Sequence, residues 1–169
     1  MDKIALGGGC HWCTEAIFQS VSGVRQVEQG YVASVEKNQT FSEAVIVHFD
    51  RQQIPFEVLI EIHLHTHRST ANHSMRYKYR SAIYTFSEKQ RVEAEEILNN
   101  LQFNFAVPLV TQVLPFSAFK PSRKQIMNYY YSNPQKPFCK TFINPKLKIL
   151  LQKFSVYADY DRLKNSEQK

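Results

Sequence analysis

Gly7-Gly8-Gly9-Cys10-His11-Trp12-Cys13-Thr14-Glu15 is the stretch on which the reading of this chain turns. An apolar run, Ile4-Ala5-Leu6, leads into the three glycines and reads as a short buried strand. Beyond them Ala16, Ile17 and Val21 recur at helical spacing, so a helix begins near Cys10. Cys10 is therefore expected on a strand-to-helix turn, at the positive end of a helix. That position favours thiolate below the free thiol pKa of about 8.5. The glycines allow a sharp bend and leave room for a ligand near the sulfur. Trp12, the single tryptophan, can wall an apolar pocket. These features predict a nucleophile rather than an inert packing cysteine. Cys10 and Cys13 also form a C-x-x-C, a spacing used by redox dithiols and by half of a zinc site. The third cysteine, Cys139, stands alone, so no second such pair is present.

Composition bounds the rest. A length of 169 residues predicts one domain, 1–169, able to bury a real core. Apolar content of 43% and charge of 21% are ordinary for a globular chain, which excludes a disordered or fibrous class. No stretch approaches ~18 consecutive apolar residues, so no membrane partner is expected. Met1-Asp2-Lys3 lacks the regions of a signal peptide, and with three cysteines this predicts a reducing, cytoplasmic location. The net charge of +6 is densest from Lys120 to Lys153, interleaved with aromatics, and reads as a solvated surface rather than a nucleic-acid site. A monomer is expected.

The remaining elements predict an α+β fold, a mixed β-sheet flanked by helices. Residues 23–33 alternate irregularly around Val24, Val27 and Tyr31, and 43–49 is the clearest strand. Pro55 suits the first turn of a helix carrying Phe56, Leu59, Ile60 and His63 on one face. Residues 65–77 lack periodicity, as a functional loop would. A strand over 80–86 precedes a possible capping box, Ser87 with Gln90, on a helix burying Ala94, Ile97, Leu98 and Leu101. Val110 to Leu114 is expected as the last strand. Helix is expected again over 125–131, and Pro134 and Pro137 then predict an extended segment carrying Cys139.

Five motifs, in order, resemble one family. Gly8-Gly9-Cys10-His11-Trp12-Cys13-Thr14-Glu15 is similar to the G-G-C-F-W-C-T-E signature of A-type peptide methionine sulfoxide reductases. Gly30-Tyr31 is similar to their G-Y-A-G-G turn and Glu43-Ala44-Val45 to the strand opening H-A-E-V-V. Tyr79-Arg80-Ser81-Ala82-Ile83-Tyr84 resembles Q-Y-R-S-A-I-Y. Asn133-Pro134, Phe138-Cys139 and Ile143-Asn144-Pro145-Lys146-Leu147 resemble N-P-x-x-P-Y-C…I-x-P-K-L. Two departures bear on the site: His11 stands where the family has Phe, and Ser74 where it has an active-site Asp.

The resemblance implies a ferredoxin-like variant with a long irregular C-terminal segment. It also implies thiol-dependent reduction of methionine-(S)-S-oxide, in peptides or free, with no cofactor and a thioredoxin-type reductant. Such a reaction needs a soft nucleophile at sulfur, a proton for the departing oxygen and a pocket for the methyl group. Cys10 is the expected nucleophile, passing through a sulfenic acid to a disulfide. Glu43 would supply the proton, which requires a neutral carboxyl raised in pKa by partial burial. Tyr31 and Tyr79 would donate hydrogen bonds to the same oxygen. Trp12 with His11 would bound the methyl pocket, and Ser74 would line the substrate side. Two resolving thiols stay open: Cys139, the match to the family's C-terminal cysteine, is favoured because a mobile, proline-bounded tail could bring it up once methionine has left, and Cys13 lies one helical turn away. Two other classes compete. One is a non-catalytic module binding methionine or peptides; the other is a metal site built from His63, His65, His67 and His73 with the cysteines, whose spacing fits no standard zinc pattern.

Overall fold

The computed structural model describes residues 1–167. Its frame is a six-stranded mixed sheet in the order β5-β4-β1-β3-β2-β6. The strands are β1 (Asp2–Gly7), β2 (Val24–Ala33), β3 (Ser42–Phe49), β4 (Ala82–Thr85), β5 (Gln112–Pro115) and β6 (Ala118–Pro121). All neighbours run antiparallel except β4 and β5. The helices are α1 (His11–Gln19), α2 (Phe56–His65), α3 (Glu88–Leu101), α4 (Tyr129–Ser132), α5 (Asn144–Lys153) and α6 (Tyr160–Glu167).

Side chains alternate across a strand, so each central strand feeds two cores. Ile4 and Leu6 of β1 and Val45, Val47 and Phe49 of β3 pack under the helices with Phe18, Leu59 and Ile60. Ala5, Ala44 and Ile46 point to the opposite face, where Tyr84, Phe86, Leu114, Phe116 and Phe119 complete a smaller cluster. With both faces covered, β3 reads as a nearly unbroken apolar run. The Ser87 and Gln90 cap is present: Ser87 accepts from the Gln90 amide at 3.1 Å, and the Gln90 carboxamide accepts from the Phe86 amide at 2.8 Å.

The α+β expectation holds, with three local corrections. Val110 to Leu114 is not the last strand, because β6 pairs with β2 at the far edge. Only Phe116 and Ser117 separate the two edge strands. Edges of a flat six-stranded sheet would lie about 24 Å apart, whereas that linker reaches about 11 Å. The sheet therefore curls until its edges meet: Ser117 donates to the Ala33 carbonyl at 2.9 Å and Ser34 Oγ to the Pro115 carbonyl at 2.6 Å. β6 is short and ends in Pro121, a residue a sheet tolerates at its edge.

Residues 125–131 are not one helix either. A 3-10 turn, Lys124–Ile126, gives way to Asn128 at φ 53° before α4 begins. The segment after it is helical rather than extended. Pro137 sits in the first turn, where a proline costs no hydrogen bond, and leads into a π-helical turn, Cys139–Ile143, continuous with α5.

Candidate active site

Cys10 caps α1 from the turn after β1, with φ −58° and ψ 129°. Its carbonyl starts the helix by accepting from the Cys13 and Thr14 amides at 3.1 and 3.2 Å. The thiol pKa is lowered, first by a hydrogen bond from the Cys13 thiol and then by the Trp12 amide at the open helix end, against burial and the Glu43 charge. Cys13 is pushed the other way, strongly, because its thiol proton is spent on Cys10 and because it is buried. The helix start thus does activate Cys10, yet the larger share comes from its C-x-x-C partner. Gly9 leaves open space beside Cys10, on the wall of a cavity of about 470 Å³, whereas Gly8 has a second task. None of Gly7, Gly8 and Gly9 takes a positive φ. A Cβ on Gly8 would run into the His67 ring, so this glycine admits a protein side chain rather than a ligand.

Glu43 enters from the start of β3, directly across from Tyr31 of β2. Its carboxyl is buried, with 7% exposure for the residue. Oε1 accepts from the His11 amide at 3.2 Å, and Oε2 lies 3.7 Å from the Lys78 ammonium. The His11 ring is buried, not turned to solvent: Nδ1 sits 2.8 Å from the Gly30 carbonyl and Nε2 3.4 Å from Glu43 Oε1. Burial lowers the His11 pKa; the Gly30 carbonyl and Glu43 oppose that. Gly30 is required here, since a Cβ would overlap the Lys120 carbonyl across the β2–β6 pair.

Trp12 stacks flat on Tyr129, centroids 4.0 Å apart, and meets the edge of Phe138 at 5.1 Å. Cys10, Trp12, Tyr31, Glu43, Tyr79 and Phe138 all line one cavity of about 380 Å³, with His11 in its wall. The arrangement sets a low-pKa thiol, one carboxyl and two phenols around an apolar recess. A second cavity of about 470 Å³ opens on the other side of Cys10 and shares Tyr79 and Phe138; Cys13, Arg68 and Lys146 also face it.

Two expected residues line neither cavity. Ser74 is exposed at the start of a 3-10 turn, Ser74–Tyr77, and lines neither cavity. The turn is held from below by Arg76, whose guanidinium donates to the Gly8 and Tyr79 carbonyls at 2.8 and 2.9 Å, leaving Ser74 outward. Cys139 is 0% exposed on its π-helical turn, packed in the main core with its sulfur 3.6 Å from the Asn133 carbonyl. It does not ride a mobile tail.

The histidines are spent on structure. His63 Nε2 donates to the Gly7 carbonyl at 2.8 Å, and His67 bridges the His63 carbonyl and Ser81 Oγ at 2.5 and 2.8 Å. His65 stacks on Phe105, and His73 Nδ1 accepts from the Met75 amide. Among the described residues no three His, Cys, Asp or Glu side chains converge on a common point.

Sequence reasoning missed Lys78, Phe41 and Ile126 in the cavity wall, none of which carries a periodic signal. It also missed Glu15, a buried carboxylate on α1 with a raised pKa. Burial raises it, against hydrogen bonds from the Asn128 and Tyr129 amides and Gln29. An acid inside the apolar face of α1 was the available signal.

The chain matches the family model described as peptide methionine sulfoxide reductase over residues 2–157. Relatives named peptide methionine sulfoxide reductase MsrA include one from Trichodesmium erythraeum, 34% identical over 91% of this chain and 96% of its own length. One from Acinetobacter baumannii is 33% identical over the same shares. The fold is similar to that of methionine sulfoxide reductase A of Corynebacterium diphtheriae (TM-score 0.69, 23% identity, 80% of this chain and 76% of that one). It is also similar to Mxr1 from Saccharomyces cerevisiae in complex with Trx2 (TM-score 0.58, 19% identity, 73% and 82%).

Proposed function

We propose a catalytic route for a chain that belongs to the peptide methionine sulfoxide reductase family. The reaction is thiol-dependent reduction of methionine sulfoxide to methionine; the residue roles below and the S epimer are our reading. The Cys10 thiolate attacks the sulfoxide sulfur, with the substrate methyl against Trp12 and Phe138. Glu43 passes a proton to the sulfoxide oxygen while Tyr31 and Tyr79 donate to it, an electrostatic assistance that is strongest in a water-poor site. The oxygen leaves the substrate on the Cys10 sulfur as a sulfenic acid, and methionine departs two electrons richer. Cys13, already hydrogen-bonded to Cys10, attacks that sulfur and expels water to form a disulfide. Cys139 exchanges next, and a thioredoxin-type dithiol returns the protein to its reduced form. Three free thiols fit a reducing compartment such as the cytoplasm, and one copy of the chain supplies every side chain used.

The observation that carries this reading is the low-pKa Cys10 facing a buried carboxyl and two phenols within one cavity. It is tested with separated epimers of N-acetylmethionine sulfoxide, thioredoxin, thioredoxin reductase and NADPH. The S epimer is consumed with NADPH oxidation, and Cys10→Ser abolishes this. Equal turnover in Cys10→Ser, or a preference for the R epimer, defeats the reading. Binding without turnover by the native protein would instead support a methionine-binding module.

A further inference from the structure

We infer that the cavity of about 470 Å³ beside Cys10 is an anion subsite, where Lys146 and Arg68 hold a carboxylate carried by the substrate next to its sulfoxide group. The inference deepens the reading given above and rests on Cys10 as the nucleophile. Cys10, Tyr79 and Phe138 line both cavities, so a substrate whose sulfoxide enters the first has the second immediately beside it. The subsite meets the chain at Gly9. A Cβ there would have one neighbour within reach, the Lys146 ammonium at 3.8 Å. The glycine thus leaves that ammonium uncovered beside the nucleophile.

Charge argues for the occupant. Lys146 comes from α5 and Arg68 from the turn after α2, and no aspartate or glutamate lines the cavity with them. Among the described residues neither cation takes part in a salt bridge. The first cavity shows the contrast, for its cation, Lys78, already has Glu43 at 3.7 Å. Lys146 spends one of its three N–H donors on the Thr66 carbonyl at 2.7 Å, and the other two have no acceptor among the described residues. Burial lowers its pKa, against the Cys13 and Cys10 thiols. A lysine so placed ordinarily has a carboxylate beside it; here the substrate would bring one. Arg68 is exposed at the rim, and its planar fork suits two carboxylate oxygens at once. Two groups carry this chemistry within reach of a bound sulfoxide. One is the chain-end carboxylate of a terminal methionine sulfoxide, the other the side chain of an adjoining aspartate or glutamate.

The test follows the first equivalent of reduced product from reduced protein at subsaturating substrate. No reductant is added, so docking of a reductant cannot contribute. Two matched pairs of S-sulfoxides separate the sources. N-acetylmethionine sulfoxide is compared with its methylamide, and N-acetylmethionine sulfoxide-glutamate amide with its glutamine analogue. The charged member of at least one pair reacts about five-fold faster, an advantage that shrinks as salt is raised. Preference in the first pair alone assigns the subsite to a terminal residue, in the second alone to an acidic neighbour; either supports it. Arg68→Gln brings the ratio within that pair close to one, and Arg68→Glu reverses it. Each ratio is taken within one protein, so a general loss of activity cancels. Lys146→Gln, which can still donate to Thr66, lowers the ratio as well; if it fails to fold, the exposed Arg68 carries the test. Native ratios near one in both pairs, or ratios that Arg68→Gln and salt leave unmoved, overturn the proposal. A native protein that reduces none of the four substrates overturns it together with the role of Cys10, a failure told apart by the loss of all turnover.

Discussion

The Cys13 thiol donates a hydrogen bond to the Cys10 sulfur one helical turn away, and this is the largest influence lowering the Cys10 pKa. The same bond raises the pKa of Cys13 itself, so Cys10 is the one of the two that ionises first. Cys13→Ala therefore raises the Cys10 pKa while leaving the helix-end amides in place. Iodoacetamide alkylation of Cys10, followed by mass in a Cys139→Ser background, will show its pH midpoint moved upward. An unmoved midpoint means that the backbone alone activates Cys10.

Proximity to Cys10 orders the resolving steps. Cys139 is 0% exposed and Cys13 4%, but only Cys13 shares a hydrogen bond with the nucleophile. Protein given one equivalent of methionine sulfoxide and quenched early with alkylating reagent will contain Cys10–Cys13, and Cys139→Ser will form it at the native rate. A Cys10–Cys139 bond at the earliest time would reverse that order.

Glu43→Gln retains acceptor and shape but cannot give up a proton. The single-turnover rate of methionine formation falls about 10²–10⁴-fold, with alkylation of Cys10 unimpaired. An unchanged rate removes Glu43 from the chemistry.

Acid weakens the seat of α2 on the end of β1. Complete burial lowers the His63 pKa from 6.5 to about 4, overcoming its bond to the Gly7 carbonyl. The folded pKa lies below the unfolded one, so His63 adds stability above pH 6.5 that is lost as pH falls through about 4. The loss approaches about 3 kcal/mol at 1.36 kcal/mol per unit. Urea unfolding at pH 7 and 4.5 will show His63→Gln losing markedly less stability than the native chain. His67, its ring 4.2 Å away and also lowered by burial, keeps part of the dependence in the variant. Equal losses would place the acid sensitivity elsewhere.

The strand-to-helix turn at Cys10, the apolar strands β1 and β3, and the Ser87 cap of α3 were all legible in the chain. Each is written in local periodicity, capping chemistry or a contiguous motif, over distances of a few residues. Cys10, Trp12, Tyr31, Glu43 and Tyr79 were likewise found from short motifs, and they do share one cavity. Where local pattern stops, tertiary structure decides. β6 exists because the curled sheet offers the edge of β2 to a four-residue segment that no periodicity marks. Ser74 faces outward because Arg76 reaches under its turn to the Gly8 carbonyl, 68 residues away in sequence. Cys139 is sealed because Pro137 opens a helical turn that docks on the main core. The His11 ring is buried because the sheet brings Gly30 of β2 to its Nδ1 and Glu43 of β3 within 3.4 Å of its Nε2. Polar partners for a buried ring lie far away in sequence, and only the assembled sheet supplies them.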